Sequence, residues 1–130
     1  MEAARQAARR AYSPYSRYSV GCALMCADTP EPFVGCNVEN ASYGLSLCAE
    51  RVAVASAVAA GRRDFVAMAI FAEGRELPTP CGACRQFLSE FNEELLVAVS
   101  NGEETRVFTL GELLPYSFGR RHLLSPDSCC

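Results

Sequence analysis

Short apolar runs alternate along this chain with polar, turn-forming stretches, and their spacing predicts most of its secondary structure. Residues 2 to about 12, rich in Ala and Arg, predict a first helix that Ser13-Pro14 stops. Residues 18–27 and 33–38 are apolar runs on either side of Asp28-Thr29-Pro30-Glu31-Pro32, the pattern of a hairpin. Residues 39–47 are polar, contain Gly44 and read as a loop. From Cys48 to Ala60, alanine and valine dominate without a breaker until Gly61. That predicts a central helix with a glycine stop, buried on most sides because nearly all its faces are small and apolar.

Residues 65–72 form a continuous apolar run of strand length, of the kind found when both faces of a sheet are covered. After the prolines at 78 and 80, residues 81–91 predict another helix and residues 95–100 a strand. Asn101-Gly102 marks a turn, residues 106–109 the next strand, and residues 111–114 a short helix before Pro115. The order α-β-β-α-β-α-β-β implies an α/β fold with a mixed sheet of about five strands. A three-layer α/β/α sandwich buries all of its apolar faces most simply.

With 130 residues the chain predicts one domain spanning 1–130. A formal net charge of -3 and a pI of 5.2 give no electrostatic footprint for nucleic acid and suit a small neutral substrate. The first residues lack the apolar run of a signal peptide, and no stretch is long and uncharged enough to span a bilayer. A cytoplasmic protein with no membrane partner is the expectation. Eight cysteines raise the alternative of a disulfide scaffold, which a chain able to build its own core does not need. Cys22, Cys26 and Cys36 sit in apolar runs and read as small buried hydrophobes. Cys129 and Cys130 end the chain in a polar tail and read as exposed, oxidisable thiols.

Cys48-Ala49-Glu50 and Pro80-Cys81-Gly82-Ala83-Cys84 carry the candidate chemistry. Zinc prefers tetrahedral coordination, and three cysteine ligands leave its fourth position for a water whose pKa the metal lowers to about 7. Cys48, Cys81 and Cys84 are the expected ligands of one Zn2+ per subunit, and Glu50 is the proton carrier beside the water. Both motifs fall at predicted helix N-termini, where unpaired N–H groups and the helix dipole favour thiolates. Arg51 and Arg85 each follow a motif directly and are candidates to hydrogen-bond a ligand sulfur. A Cys-x-x-Cys pair alone is a weak signal, shared with redox motifs and structural zinc sites, but a closed site needs a fourth ligand. The lone His122 lies in a polar C-terminal segment. Glu50 stands in an apolar helix, where a buried carboxylate is costly without a partner or a function.

Further motifs extend this pattern. Ser13-Pro14-Tyr15-Ser16, Val20-Gly21, the run from Gly35 to Tyr43 (GCNVENASY), Cys48 to Arg51, Pro80 to Gln86 and Gly111 to Pro115 through Phe118 follow one another along nearly the whole chain. In that order they resemble the cytidine deaminases, zinc enzymes whose three-cysteine form carries a non-ligating Glu. The resemblance implies that Asn37 and Glu39 bind ribose hydroxyls and that the backbone N–H of Ala49 holds the base carbonyl. It places Tyr18 near the base, where relatives often carry Phe, and has Ala41, Tyr43 and Phe118 reach into a neighbour's site. It also implies a homotetramer acting in pyrimidine salvage, with cytidine and 2'-deoxycytidine as substrates. Two rival readings remain at this point. One is deamination of another base-like substrate, such as blasticidin or a polynucleotide cytosine; the other is an inactive, zinc-stabilised binding module.

Overall fold

Strands β1 (Gly21–Cys26), β2 (Phe33–Cys36), β3 (Phe65–Phe71), β4 (Leu96–Ser100) and β5 (Thr105–Thr109) form one mixed sheet in the order β2-β1-β3-β4-β5. The computed structural model describes residues 1–124, so Cys129 and Cys130 lie outside the described residues. β1 pairs antiparallel with both β2 and β3, β4 pairs antiparallel with β5, and only the β3–β4 pair is parallel. That parallel pair needs a crossover, which helix α3 (Gly82–Ser89) supplies.

The sheet's inner face carries Cys22, Leu24, Met68, Ile70, Val97 and Val99, all buried. They pack in one cluster with Ala49, Ala53, Val54 and Ala57 of helix α2 (Ala49–Ala59), Leu88 of α3 and Leu110 of α4 (Leu110–Leu113). On the other face Ala4 and Ala8 of α1 (Glu2–Ala8) meet Ala23 and Phe71. The expected five-stranded α/β architecture with helices on both faces is therefore present; Cys22 and Cys26 are buried as expected, whereas Cys36, at the end of edge strand β2, is only half-buried. Gly61 takes up a left-handed φ of 81° and stops α2 where the glycine predicted.

Several boundaries differ from the pattern, each for a physical reason. α1 ends at Ala8 because Tyr12 is drawn into a bridge: its N–H donates to Asn37 O at 3.0 Å, and Glu39 N–H donates to Tyr12 O at 2.8 Å. β1 begins at Gly21 because the backbone at Tyr18 and Val20 bonds to the Asn37 side chain instead of a strand. The loop 39–47 contains a 3-10 turn at Tyr43–Leu45 and is closed by a Val38–Leu47 bridge. α2 is buried on one face only, with Ala55, Ser56, Ala59 and Ala60 exposed. Nor is β3 covered throughout: Val66 is 44% exposed, as are Leu96 and Val107 at 48% and 61%. A helix of seven residues is about 10 Å long, whereas five strands span about 19 Å, so α1 covers only part of that face.

Candidate metal centre and its pocket

Two helix starts build the site. Cys48 is the N-cap of α2 and Cys81 the N-cap of α3, both with extended backbone and neither using its side chain to cap. Their sulfurs are thereby free to converge. Cys84, one turn into α3, is fully buried, and the sulfurs of Cys48, Cys81 and Cys84 all lie within 4.8 Å of one another. Cys48 Sγ and Cys81 Sγ are 3.8 Å apart. A tetrahedral zinc with bonds of about 2.3 Å to sulfur requires a sulfur–sulfur edge of about 3.8 Å, so the donor set fits the metal. Among the described residues no other group of three such donors exists. His122 makes no fourth ligand: its ring accepts from Gly119 N–H and stacks on Phe118.

The cluster's electrostatics follow from its crowding. The Cys48 thiol is pulled down to about 5, by the hydrogen bond from Cys84 and by the Arg51 guanidinium. Cys84 moves the other way, because the neighbouring Cys48 thiolate holds its proton and burial opposes a second charge. Arg51 Nη2 lies 3.9 Å from Cys48 Sγ and donates to Ser46 O at 3.2 Å. Arg85 does not take the place expected of it. Its guanidinium donates to Pro80 O and Leu113 O, each at 2.7 Å, and so clasps the α3 entry to α4 instead of touching a sulfur. The proline before Cys81 presents its carbonyl to that fork.

Glu50, in the first turn of α2, is 5% exposed. Burial raises its carboxyl to about 6, and the Cys48 thiolate adds to the rise. It faces a cavity of about 330 Å³ walled by Val20, Leu47, Ile70 and Pro78, with Tyr18, Asn37, Glu39 and Ala49 also lining it. An apolar chamber with a few convergent polar groups is the usual form of a small-molecule site. A metal-activated water beside a carboxyl poised near neutrality can hydrolyse a bond held in this chamber.

Apart from Cys84, which is fully buried and does not line the cavity, the sequence-predicted residues fall into three groups. Tyr18, Asn37, Glu39, Ala49, Glu50, Cys48 and Cys81 share the cavity. Asn37 Oδ1 accepts from Val20 N–H at 2.9 Å while its Nδ2 donates to Tyr18 O at 2.8 Å, so the side chain is fixed by the loop it stabilises. Tyr18 has its hydroxyl pKa raised by burial and then by Glu50. Ala41, Tyr43 and Phe118 form the second group: all are exposed, Tyr43 at 73% and Phe118 at 56%, and none lines this cavity. Tyr43 packs edge-on against Tyr15 at 5.8 Å. Arg51 and Arg85 make up the third.

Sequence reasoning missed Ser16 and Thr79. Thr79 lines the cavity without a motif to mark it. Ser16 donates its hydroxyl and its N–H to Glu39, whose carboxylate also accepts Tyr15 N–H at 3.0 Å. These bonds, Ser16 foremost, hold Glu39 below the usual carboxylate range. The signal was present in the Ser13-to-Ser16 run, but nothing in sequence spacing joins it to a residue more than twenty positions away.

A family model described as "cytidine and deoxycytidylate deaminase zinc-binding region" matches residues 1–100, a span that includes Cys48, Cys81 and Cys84. A protein named cytidine deaminase from Halalkalibacterium halodurans is 45% identical over 115 residues, covering 87% of this chain and 86% of its own. The crystal structure of cytidine deaminase from Burkholderia pseudomallei superposes with a TM-score of 0.86 at 49% identity, covering 90% of this chain and 94% of that one. That of Mycobacterium tuberculosis gives 0.77 at 43% identity, covering 91% and 93%.

Proposed function

The chain belongs to the cytidine and deoxycytidylate deaminase family, and on that premise we propose that it hydrolyses free cytidine and 2'-deoxycytidine to the uridines and ammonia. The observation that carries this reading is Glu50: a buried carboxyl held near pH 6 beside three convergent sulfurs, at the floor of a nucleoside-sized cavity. Zinc held by Cys48, Cys81 and Cys84 supplies Lewis acidity and a water acidified to near neutrality. Glu50 accepts one proton from that water and passes it to N3 as the water oxygen bonds to C4; it then takes the second proton from the resulting C4 hydroxyl and gives it to the departing 4-amino group, so that the carbonyl forms as the C4–N bond breaks. A carboxyl near 6 accepts and returns a proton at pH 7 with little penalty in either direction.

The cavity supplies the rest. Ala49 is the first residue of α2, so its N–H has no partner within the helix and is available to the base carbonyl. Glu39, locked in its charged form by Ser16, is suited to a pair of ribose hydroxyls, with Asn37 beside it. Exposed Ala41, Tyr43 and Phe118 contribute to a neighbouring subunit's site in a homotetramer, which accounts for aromatic side chains left in solvent on one chain. No helix of the described residues is long and apolar enough to cross a membrane. Six free cysteines among the described residues suit a reducing cytoplasm, the setting of nucleoside salvage, and residues 1–130 act as one deaminase domain.

Ultraviolet monitoring of cytidine conversion, with and without a zinc chelator, tests the reading. Activity should disappear with chelation and return with added zinc. A zinc-loaded protein that leaves the absorbance unchanged refutes it.

A further inference from the structure

Away from the metal centre, a second cavity of about 440 Å³ opens beside the nucleoside pocket. Arg5 comes to it from α1 and Arg9 from that helix's C-cap, Arg17 from the loop before β1, Phe71 from the end of β3 and Glu73 from the chain just beyond it. Tyr18 lines both this cavity and the first, so the two share a wall residue. Three arginines against one glutamate give the lining a formal charge of +2 in a chain whose net charge is -3, leaving -5 over everything else. A concave site of one sign inside a molecule of the other focuses its field on a small anion.

Two further observations distinguish the lining from an ordinary solvated surface. Arg5 lies over the Phe71 ring at 4.5 Å and pairs with Glu2 at 3.8 Å, so it is held in place at the cavity wall. Arg17 occupies the left-handed region at φ 54°, with its N–H donating to Ser13 O at 3.0 Å. That conformation suits Gly or Asn and strains a long L side chain, and the turn it makes brings the Arg17 guanidinium to the cavity. Among the described residues neither Arg9 nor Arg17 makes an ion pair, although the cluster brings like charges together.

We propose that the Arg5–Arg9–Arg17 cavity is a binding site for a phosphate-bearing anion. Planar guanidinium forks match phosphoryl oxygens in a way that single point charges do not. Inorganic pyrophosphate and a nucleoside 5'-triphosphate share this chemistry; the Phe71 and Tyr18 rings favour the nucleotide.

Isothermal titration of the zinc-loaded full chain at about 0.1 M constant ionic strength, with each anion as a separate arm, reads the site directly and needs no turnover. Saturable binding near one anion per chain is expected, weakened about tenfold or more in Arg17→Gly and in Arg9→Gln, as for loss of a charge-assisted bond. Arg17→Gly also relieves the left-handed strain, so the variant stays folded. Arg106→Gln, which removes one positive charge from exposed β5, should bind as the parent does. Tighter binding of the triphosphate than of pyrophosphate identifies a nucleotide site, and equal binding identifies a site for the phosphoryl group alone. Absence of saturable binding, or equal weakening in all three variants, overturns the proposal. Since these readouts do not involve cytidine, they stand or fall independently of the deaminase activity.

Discussion

Replacing Gly35 by alanine tests whether the packing of β2 against α2 aims the catalytic groups. A Cβ at Gly35 would lie 2.3 Å from Ala49 O and 2.6 Å from Ala53 N, both backbone atoms of successive turns of α2. No flexible side chain can move aside to relieve this. Ordinary contact begins at 3.4 Å, so the helix start must recede by about 1.1 Å from the sheet. That start carries Cys48, Ala49 and Glu50, and metal–ligand distances tolerate only about 0.2 Å. Overpacking of this kind costs about 1–3 kcal/mol, or about 4–12 °C in Tm for a chain of this size. A misplacement near 1 Å at reacting groups costs about 100-fold in rate. Gly21→Ala is the control: its Cβ would meet Ala4 O at 1.9 Å and Ala8 N at 2.4 Å, at least as severe a clash, but against α1 on the opposite face. Both variants should lose thermal stability, whereas only Gly35→Ala should lose zinc stoichiometry or kcat when cytidine conversion is followed at a temperature where both are folded. A folded Gly35→Ala protein with one zinc per chain and kcat within twofold of the parent refutes the argument.

The other predictions concern charge and shared sites. With Glu50 at about 6, kcat/KM should fall about tenfold per pH unit below that value, since the protonated carboxyl cannot accept the water's proton, and Glu50→Gln should bind zinc yet lose at least about 100-fold in kcat. A variant that keeps near-normal turnover removes Glu50 from the mechanism. Ser16→Ala takes away a donor to Glu39, so cytidine KM should rise about fivefold with kcat changed less; an unchanged KM removes the Glu39 brace from binding. Mixing inactive Glu50→Gln with Phe118→Ala subunits should restore about a quarter of wild-type activity if each site draws on two chains, because one site in four then holds both intact residues. No recovery above the parents after verified subunit exchange argues for self-contained sites. Arg51→Gln should raise the Cys48 thiol and move half-maximal zinc loading upward by on the order of one pH unit, as measured by metal content against pH. Arg85→Gln should instead lower Tm and leave the loading pH nearly unchanged.

What the sequence carried, and what it lost, divides along the reach of the interactions. Elements set by local pattern appear where expected: the hairpin of β1 and β2, the α2 stop at Gly61, the strand in 65–72 and the turn at Asn101-Gly102. The metal cluster was equally legible, because Cys81 and Cys84 are bound to one helix face by the turn between them, and Cys48 carries its own helix start. Errors came where a distant partner competed for the backbone. Tyr12 left α1 for Val38, and the Asn37 side chain held the Tyr18–Val20 backbone out of β1. Ser16 and Glu39 are joined only once that loop has folded over β2. Burial of α2 and β3 was overestimated for another reason: an apolar residue reports that a surface prefers cover, not that the same chain provides it.

The reassignment of Arg85 also changes how the metal cluster balances its charge. Three thiolates around a divalent zinc carry a net charge of -1, for which two arginines were expected. One suffices when the helix ends are included. Arg51 contributes a full charge at Cys48, and each of the two helix N-termini contributes about half a charge directed at the sulfurs they place. A second guanidinium on sulfur would withdraw further negative charge from ligands that are already compensated. Arg85, one residue beyond Cys84, is therefore free to spend its fork on the Pro80 and Leu113 carbonyls, fixing the loop that delivers Cys81. The two arginines occupy similar places in sequence, directly after a ligand motif, yet one helps to lower the Cys48 thiol and the other braces the cluster's geometry. What separates them is the neighbour each finds: Ser46 and a thiolate for Arg51, two backbone oxygens for Arg85.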